Sequence, residues 1–123
     1  MNLNDLRDAR YIALETFRKN GEAVKTPVWQ ASEDGKLYVW TDANSWKVKR
    51  IRNNNHVRVC QSDFQGNPLG NWVEAQAKIL ELPEEDKTQR QRFTAKYGWQ
   101  FWLFYLMAKL GRRKHVVIEI RPA

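Results

Sequence analysis

The ten residues from Thr41 to Arg50, TDANSWKVKR, hold the chain's densest set of side chains suited to chemistry. Lys47, Lys49, Arg50 and Arg52 fall within six positions, and no acidic residue occurs between Asp42 and Asp63. Thr41, Asn44 and Ser45 stand just ahead, with Ser45 a natural N-cap and Val48 and Ile51 three apart as an apolar stripe. Such a helix start presents unpaired N–H groups and about half a positive charge. Hydroxyls and a lysine there make a phosphate site that needs no glycine-rich loop. A solvated basic helix with an ordinary serine cap fits the same spacing. On spacing alone both readings stand.

Other chemistry is hard to find. There is no nucleophile elbow, no Walker loop and no recognisable pair of catalytic carboxylates. His56 and His115 are far apart, and Cys60 is the sole cysteine. That set yields neither a disulfide nor a zinc site of paired ligands, so no metal is expected. Cys60 alternates with Val57 and Val59 and reads as a small, buried or half-buried strand residue. The net charge of +7 calls for an anionic partner: nucleic acid, an acidic membrane face or a phosphorylated cofactor.

The elements that must position this segment follow from turns and periodicity. NLNDLRDAR suits a short helix, and YIALETFRKNGEAVKTPVWQAS reads as a hairpin with a type I′ turn at Asn20-Gly21. Asp34-Gly35 makes a second turn before KLYVWT, giving three strands in meander order over 11–41. After the basic helix, HVRVCQSDF and NWVEAQAKILEL are strands joined through QGNPLG. A helix follows from Pro83 to about Tyr97, then an apolar helix WQFWLFYLMAKL and a last strand HVVIEI. With no repeat or linker, residues 1–123 read as a single domain, mainly β with short inserted helices. Twelve residues are too few to cross a bilayer, which takes about 20. The aromatics of that apolar helix cover more than one face, so dimer or domain packing is expected ahead of an anionic membrane surface.

The stretch from Thr26 to Cys60, TPVWQASEDGKLYVWTDANSWKVKRIRNNNHVRVC, with GNPLGNWVEAQAKIL, KYGWQFWLFYLMAKL and VVIEIRP, resembles the flavin-reductase-like split-barrel superfamily. That group includes pyridoxamine 5′-phosphate oxidases and deazaflavin-dependent oxidoreductases, and the resemblance is strongest to small probable deazaflavin (coenzyme factor 420)-dependent proteins. It runs from about Tyr11 to Pro122. It implies a six-stranded antiparallel split β-barrel that binds FMN or a deazaflavin. By position it gives Thr41, Ser45 and Lys47 the cofactor phosphate, with Lys49 and Arg50 nearby. Thr26, Pro27, Val28 and Trp29 would run along the ring system, and Trp72 would reach the site from a second subunit. Trp46 departs from the pattern, because pyridoxamine-phosphate oxidases carry Arg beside the phosphate-binding serine.

The resemblance thus implies a homodimeric oxidoreductase. It would move a hydride between a reduced deazaflavin coenzyme, or FMN, and a small unsaturated molecule, with sites at the subunit interface. Missing conventional catalytic residues fit, since the cofactor carries that chemistry. A non-catalytic flavin- or haem-sequestering protein on the same fold is the second reading. Nucleic-acid binding through residues 47–58 ranks behind both. The polar start MNLNDLRDAR shows no signal-peptide pattern, so a cytoplasmic setting is expected.

Overall fold

A computed structural model describes residues 3–81, 86–103 and 115–123. The elements are a short 3-10 helix (Leu3–Leu6), β1 (Tyr11–Phe17), β2 (Ala23–Trp29), β3 (Ala31–Glu33), β4 (Lys36–Asp42), α1 (Trp46–Asn53), β5 (His56–Ser62), β6 (Val73–Glu81), α2 (Asp86–Tyr97) and β7 (His115–Pro122). All seven strands join one antiparallel sheet in the order β2-β1-β5-β6-β7-β4-β3. The sheet's two edges, β2 and β3, are consecutive in sequence and separated only by Gln30. It therefore curls until its edges meet at that residue, which is the split-barrel arrangement expected.

Seven strands appear where six were expected, and Gln30 is the reason. The side chain is fully buried, and its Nε2 donates to the carbonyls of Leu6 at 2.9 Å and Ala9 at 2.6 Å. Its backbone N–H donates to the Tyr97 hydroxyl at 2.9 Å. That hydroxyl lies 2.7 Å from the Gln30 carbonyl and 2.8 Å from that of Arg10. With both backbone groups engaged outside the ladder, the strand breaks and its two halves pair with different neighbours, β1 and β4.

The turns differ from expectation in one place. Asp34 and Gly35 both have positive φ, at 55° and 77°, as a type I′ turn requires. In the first hairpin only Gly21 does, at 88°. Gly21 N–H bonds to Arg18 O and Arg18 N–H to Glu22 O, both at 2.8 Å, so a longer loop with a left-handed glycine replaces the expected I′ turn.

Period-2 alternation builds two apolar layers. Leu37 and Val39 of β4, with Ile118 and Ile120 of β7, face an inner core that takes in Ile12, Leu14, Val57 and Val59. Val48 and Ile51 plug α1 into it. The intervening Tyr38, Trp40 and Val117 face outward and are covered by Phe93 and Tyr97 of α2 and by Phe101 beyond it. Gly98, at φ 61°, ends α2 where expected, and helix resumes over 99–103. There Phe101 turns into the outer layer, while Trp99, Trp102 and Leu103 are exposed. The remainder of the expected apolar helix, and the expected helix start at Pro83, lie outside the described residues. Among the described residues no helix is long and apolar enough to cross a membrane.

The Tyr97→Phe variant keeps the ring and removes the hydroxyl, leaving the Gln30 N–H without its acceptor. A loss of about 1–3 kcal/mol in unfolding free energy is expected in urea titration. An unchanged midpoint and slope would show that the barrel closes without this bond.

Candidate functional site

Beside the start of β1, the end of β2, the end of β4 and the start of β7 lies a pocket of about 440 Å³ lined by Tyr11, Pro27, Val28, Trp29, Trp40, Thr41, Asp42, Lys47, Phe64, Phe93, Phe101 and His115. Its aromatic wall is a connected stack. Trp29 lies parallel to Tyr97, with ring centroids 4.5 Å apart, and Phe93 and Phe101 stack at 5.5 Å. Trp40 meets Phe93 and Phe101 edge-on at 6.0 and 5.3 Å. Those contacts hold the rings rigidly, so a planar ligand would meet a preformed surface.

The polar end is built at the β4–α1 junction. Asp42 Oδ1 accepts the Asn44 N–H at 2.8 Å, and Ser45 N–H bonds to Asp42 O at 3.1 Å. This tight turn swings the chain from the strand into α1. Thr41, buried, and Lys47, half-buried, then both face the pocket. Burial is the largest cause holding the Lys47 ammonium below an ordinary lysine's 10.5, with Arg50 adding repulsion and Asp42 opposing them. Among the described residues no hydrogen bond or ion pair satisfies it. A desolvated cation at the mouth of an aromatic pocket is poised to gain from an anion.

Ser45 occupies the N-cap position of α1, but its side chain makes no capping bond. Its Oγ is buried and without a partner among the described residues. Ser45 does not line the pocket, and its open hydroxyl would reach a phosphate there only by a change of rotamer.

The expected site residues therefore separate into groups. Pro27, Val28, Trp29, Thr41 and Lys47 line one pocket. Thr26 sits on β2 with its hydroxyl 3.5 Å from Leu14 O, outside that lining. Lys49 and Arg50 line a different groove on the other side of α1. Trp72 is held under the Arg58 guanidinium, 5.4 Å from its ring centroid, and does not line the pocket within one chain. Arg58 is itself paired with the buried Glu15 across β1 and β5.

Tyr11, Trp40, Asp42, Phe64, Phe93, Phe101 and His115 complete the pocket, beyond the residues that the resemblance assigned to the site. Asp42 and His115 are register partners on β4 and β7, a relation only strand pairing discloses. Phe64 comes from the β5–β6 loop, where Asp63 Oδ1 accepts the N–H groups of Gln65 and Asn67, each at 2.9 Å. The DFQGNP string was the available signal for that tight loop. Among the described residues, no group of three His, Cys, Asp or Glu could hold a metal.

The direction of the Lys47 shift has a consequence for stability. Its folded pKa lies below its unfolded value, so between the two the unfolded chain binds more protons and stability rises with pH. At neutral pH both states are charged and the folded state bears the desolvation. Lys47→Met should accordingly raise the Tm of the ligand-free protein at pH 7, by calorimetry. A lowered Tm would mean that the ammonium has a stabilising partner.

Comparison with known proteins places this geometry. Residues 3–123 match the family model described as pyridoxamine 5′-phosphate oxidase. No protein of curated function matches the sequence. Among solved structures, General Stress Protein 26 from Bacillus anthracis is 27% identical, with 98% of this chain and 85% of that one covered and a TM-score of 0.64. An FAD-binding protein from Mesorhizobium loti is 19% identical, covers 98% and 87%, and has a TM-score of 0.65. The heme storage protein HutZ from Vibrio cholerae is 12% identical, covers 100% and 92%, and has a TM-score of 0.71. The chain spans about half, 53%, of the length of a similar Agrobacterium tumefaciens protein of unknown function. Another similar structure, 18% identical with a TM-score of 0.64, is a domain-swapped dimer. The fold is that of flavin-binding split barrels, and the chain belongs to the pyridoxamine 5′-phosphate oxidase family.

Proposed function

We propose that this protein is an oxidoreductase that holds FMN or a deazaflavin coenzyme in the aromatic pocket and acts on a small unsaturated molecule. The observation that carries the reading is the pairing of a rigid ring-lined cavity with a desolvated lysine at its mouth. Lys47 and Thr41 bind the phosphate, with Ser45 Oγ as a third donor. Pro27, Val28 and Trp29 run along the ring, and Thr26 supports that strand from outside the pocket. Lys49 and Arg50 add to the positive field around the phosphate without lining its pocket. When bound, the cofactor supplies hydride chemistry, and the chain's aromatic walls exclude water and fix the ring's orientation.

A second copy of the chain completes the site in this reading, with Trp72 reaching across the interface. Exposed Phe64, Leu69 and Trp99 are apolar surface of the kind that such contact covers. The domain-swapped neighbour supports dimerisation as a property of the fold.

The deazaflavin choice rests on the subgroup resemblance. The FAD-binding and heme-storage neighbours support two further ligand classes. A non-catalytic haem- or flavin-sequestering role is the second reading, and His115 in the pocket wall favours keeping haem in it.

Purified protein should be titrated with FMN, FAD, coenzyme factor 420 and haemin, followed by absorbance. One of the first three is expected to bind, with Lys47→Ala weakening it by about 1–3 kcal/mol. Affinity should also fall as pH rises through the lowered Lys47 pKa, because the neutral amine no longer attracts phosphate. Lys47→Arg should remove that alkaline loss. Haemin binding alone, or flavin binding without turnover of any electron acceptor, would favour sequestration. Unchanged affinity in Lys47→Ala would remove the lysine from the site.

A further inference from the structure

On the side of α1 away from the pocket lies a second groove of about 440 Å³, lined by Phe17, Arg18, Lys19, Trp46, Lys49, Arg50 and Asn53. Its helical wall is regular. Trp46, Lys49, Arg50 and Asn53 follow the i, i+3, i+4, i+7 spacing of one helix face, while Val48 and Ile51 face the core. The other wall is the end of β1, where Phe17 stacks on His56 with centroids 5.4 Å apart. None of the lining residues is acidic, and four are cationic.

Two features show that this is more than solvated charge. Trp46 leaves 70% of its surface exposed, a poor use of the largest apolar side chain unless something covers it. Lys49 Nζ sits 4.4 Å from its ring centroid, the sole described contact on that ring. Arg50 is anchored through Nε to the buried Thr16 hydroxyl at 2.7 Å, which fixes the direction of its guanidinium. Burial first, and then repulsion from Arg18, disfavour its charge. Arg18 reaches an acid only at the hairpin, where Nη1 is 3.3 Å from Glu22.

We propose that this groove is a separate binding site for a nucleoside phosphate, whose base stacks on Trp46 and whose phosphate lies between Arg18 and Arg50. A planar aromatic ring satisfies Trp46, and an anion relieves the repulsion between two guanidiniums that share no carboxylate. Guanidinium forks match phosphate geometry, and Lys49 adds a mobile point charge. The Asn53 amide offers a donor and an acceptor at the rim for a base edge. A bare anion would leave Trp46 uncovered, and an apolar ligand would leave the cations unanswered. The site shares no lining residue with the Lys47 pocket, and its assignment does not rest on what that pocket holds.

Calorimetric titration with AMP at low salt tests it, with adenosine, inorganic phosphate and a 12-nucleotide single strand as comparison probes. AMP is expected to bind more tightly than either adenosine or phosphate alone. Trp46→Ala and Arg18→Ala should each weaken it about tenfold, the scale of losing a base stack or a charge-assisted contact. Both side chains are exposed, and a thermal melt confirms that each variant folds. Lys47→Ala should leave AMP affinity unchanged to within about twofold. Four outcomes would overturn the proposal. These are no AMP binding up to millimolar concentration, equal affinity in Trp46→Ala, phosphate binding as tightly as AMP, or loss of AMP binding in Lys47→Ala. Tight, steeply salt-dependent binding of the single strand without AMP binding would replace it with a nucleic-acid surface.

Discussion

The hydrogen bonds around Gln30 and Tyr97 are the constraint on which the rest of this structure depends. A seven-stranded sheet whose edges are consecutive strands closes only if the residue between them satisfies its backbone elsewhere. The Tyr97 hydroxyl does so from α2, and the Gln30 amide ties the same point to the carbonyls around the N-terminal 3-10 helix. Lys96 adds a bond to Ala9 O at 2.7 Å, and burial above all brings its pKa down to about 8. Burial likewise pushes the Tyr97 phenol up to about 12, so it stays a neutral donor and acceptor across the physiological range. Barrel closure and the pocket's aromatic wall thereby share a residue. The ring whose hydroxyl joins the sheet edges is the ring on which Trp29 stacks.

Helical phase distributes the chain's positive charge. Val48 and Ile51 must face the core, so the remaining side chains of α1 divide to either side of that stripe. Lys47 falls toward the aromatic pocket, and Trp46, Lys49 and Arg50 fall toward the β1 end. The two sides still feel one another, because Arg50 contributes to lowering the Lys47 pKa. An anion bound on one side lowers the positive potential offered on the other, so the electrostatic coupling between two anionic ligands held by this helix is weakly unfavourable and screened by salt.

Much of this was legible in the sequence because it is local. The aromatic and β-branched residues of LYVWT and the apolar run HVVIEI located strands, Asp34-Gly35 located a turn, and Gly98 located a helix end. The basic helix with its Val48 and Ile51 stripe was equally plain, and Cys60 is buried as its alternation suggested. Nonlocal pairing hid the rest. Nothing in TPVWQASE marks Gln30 as a break, because the partner that breaks the strand lies 67 residues away. Phe93, Phe101 and His115 join the pocket only through the way α2 and β7 pack on β4. Counting charges put Lys47, Lys49 and Arg50 in one strip, whereas the helix turns them to different sides.

The β5–β6 loop shows how a flexible-looking segment acquires a fixed role in the site. Asp63 takes two backbone N–H bonds on one oxygen, and Asn67 Nδ2 bonds to the other at 2.9 Å. That leaves little freedom between Phe64 and Gly66. Gly66 adopts φ 88°, and a Cβ there would lie 3.1 Å from Cδ of Pro27. Glycine is needed for its dihedral and for its lack of a side chain, since the loop backbone packs directly on the pocket strand. Pro27 in turn sits on an edge strand, where the missing N–H costs no ladder bond. The close approach of Gly66 to Pro27 sets where Phe64 stands, so this wall of the pocket is positioned by backbone geometry and not by the packing of its own exposed ring.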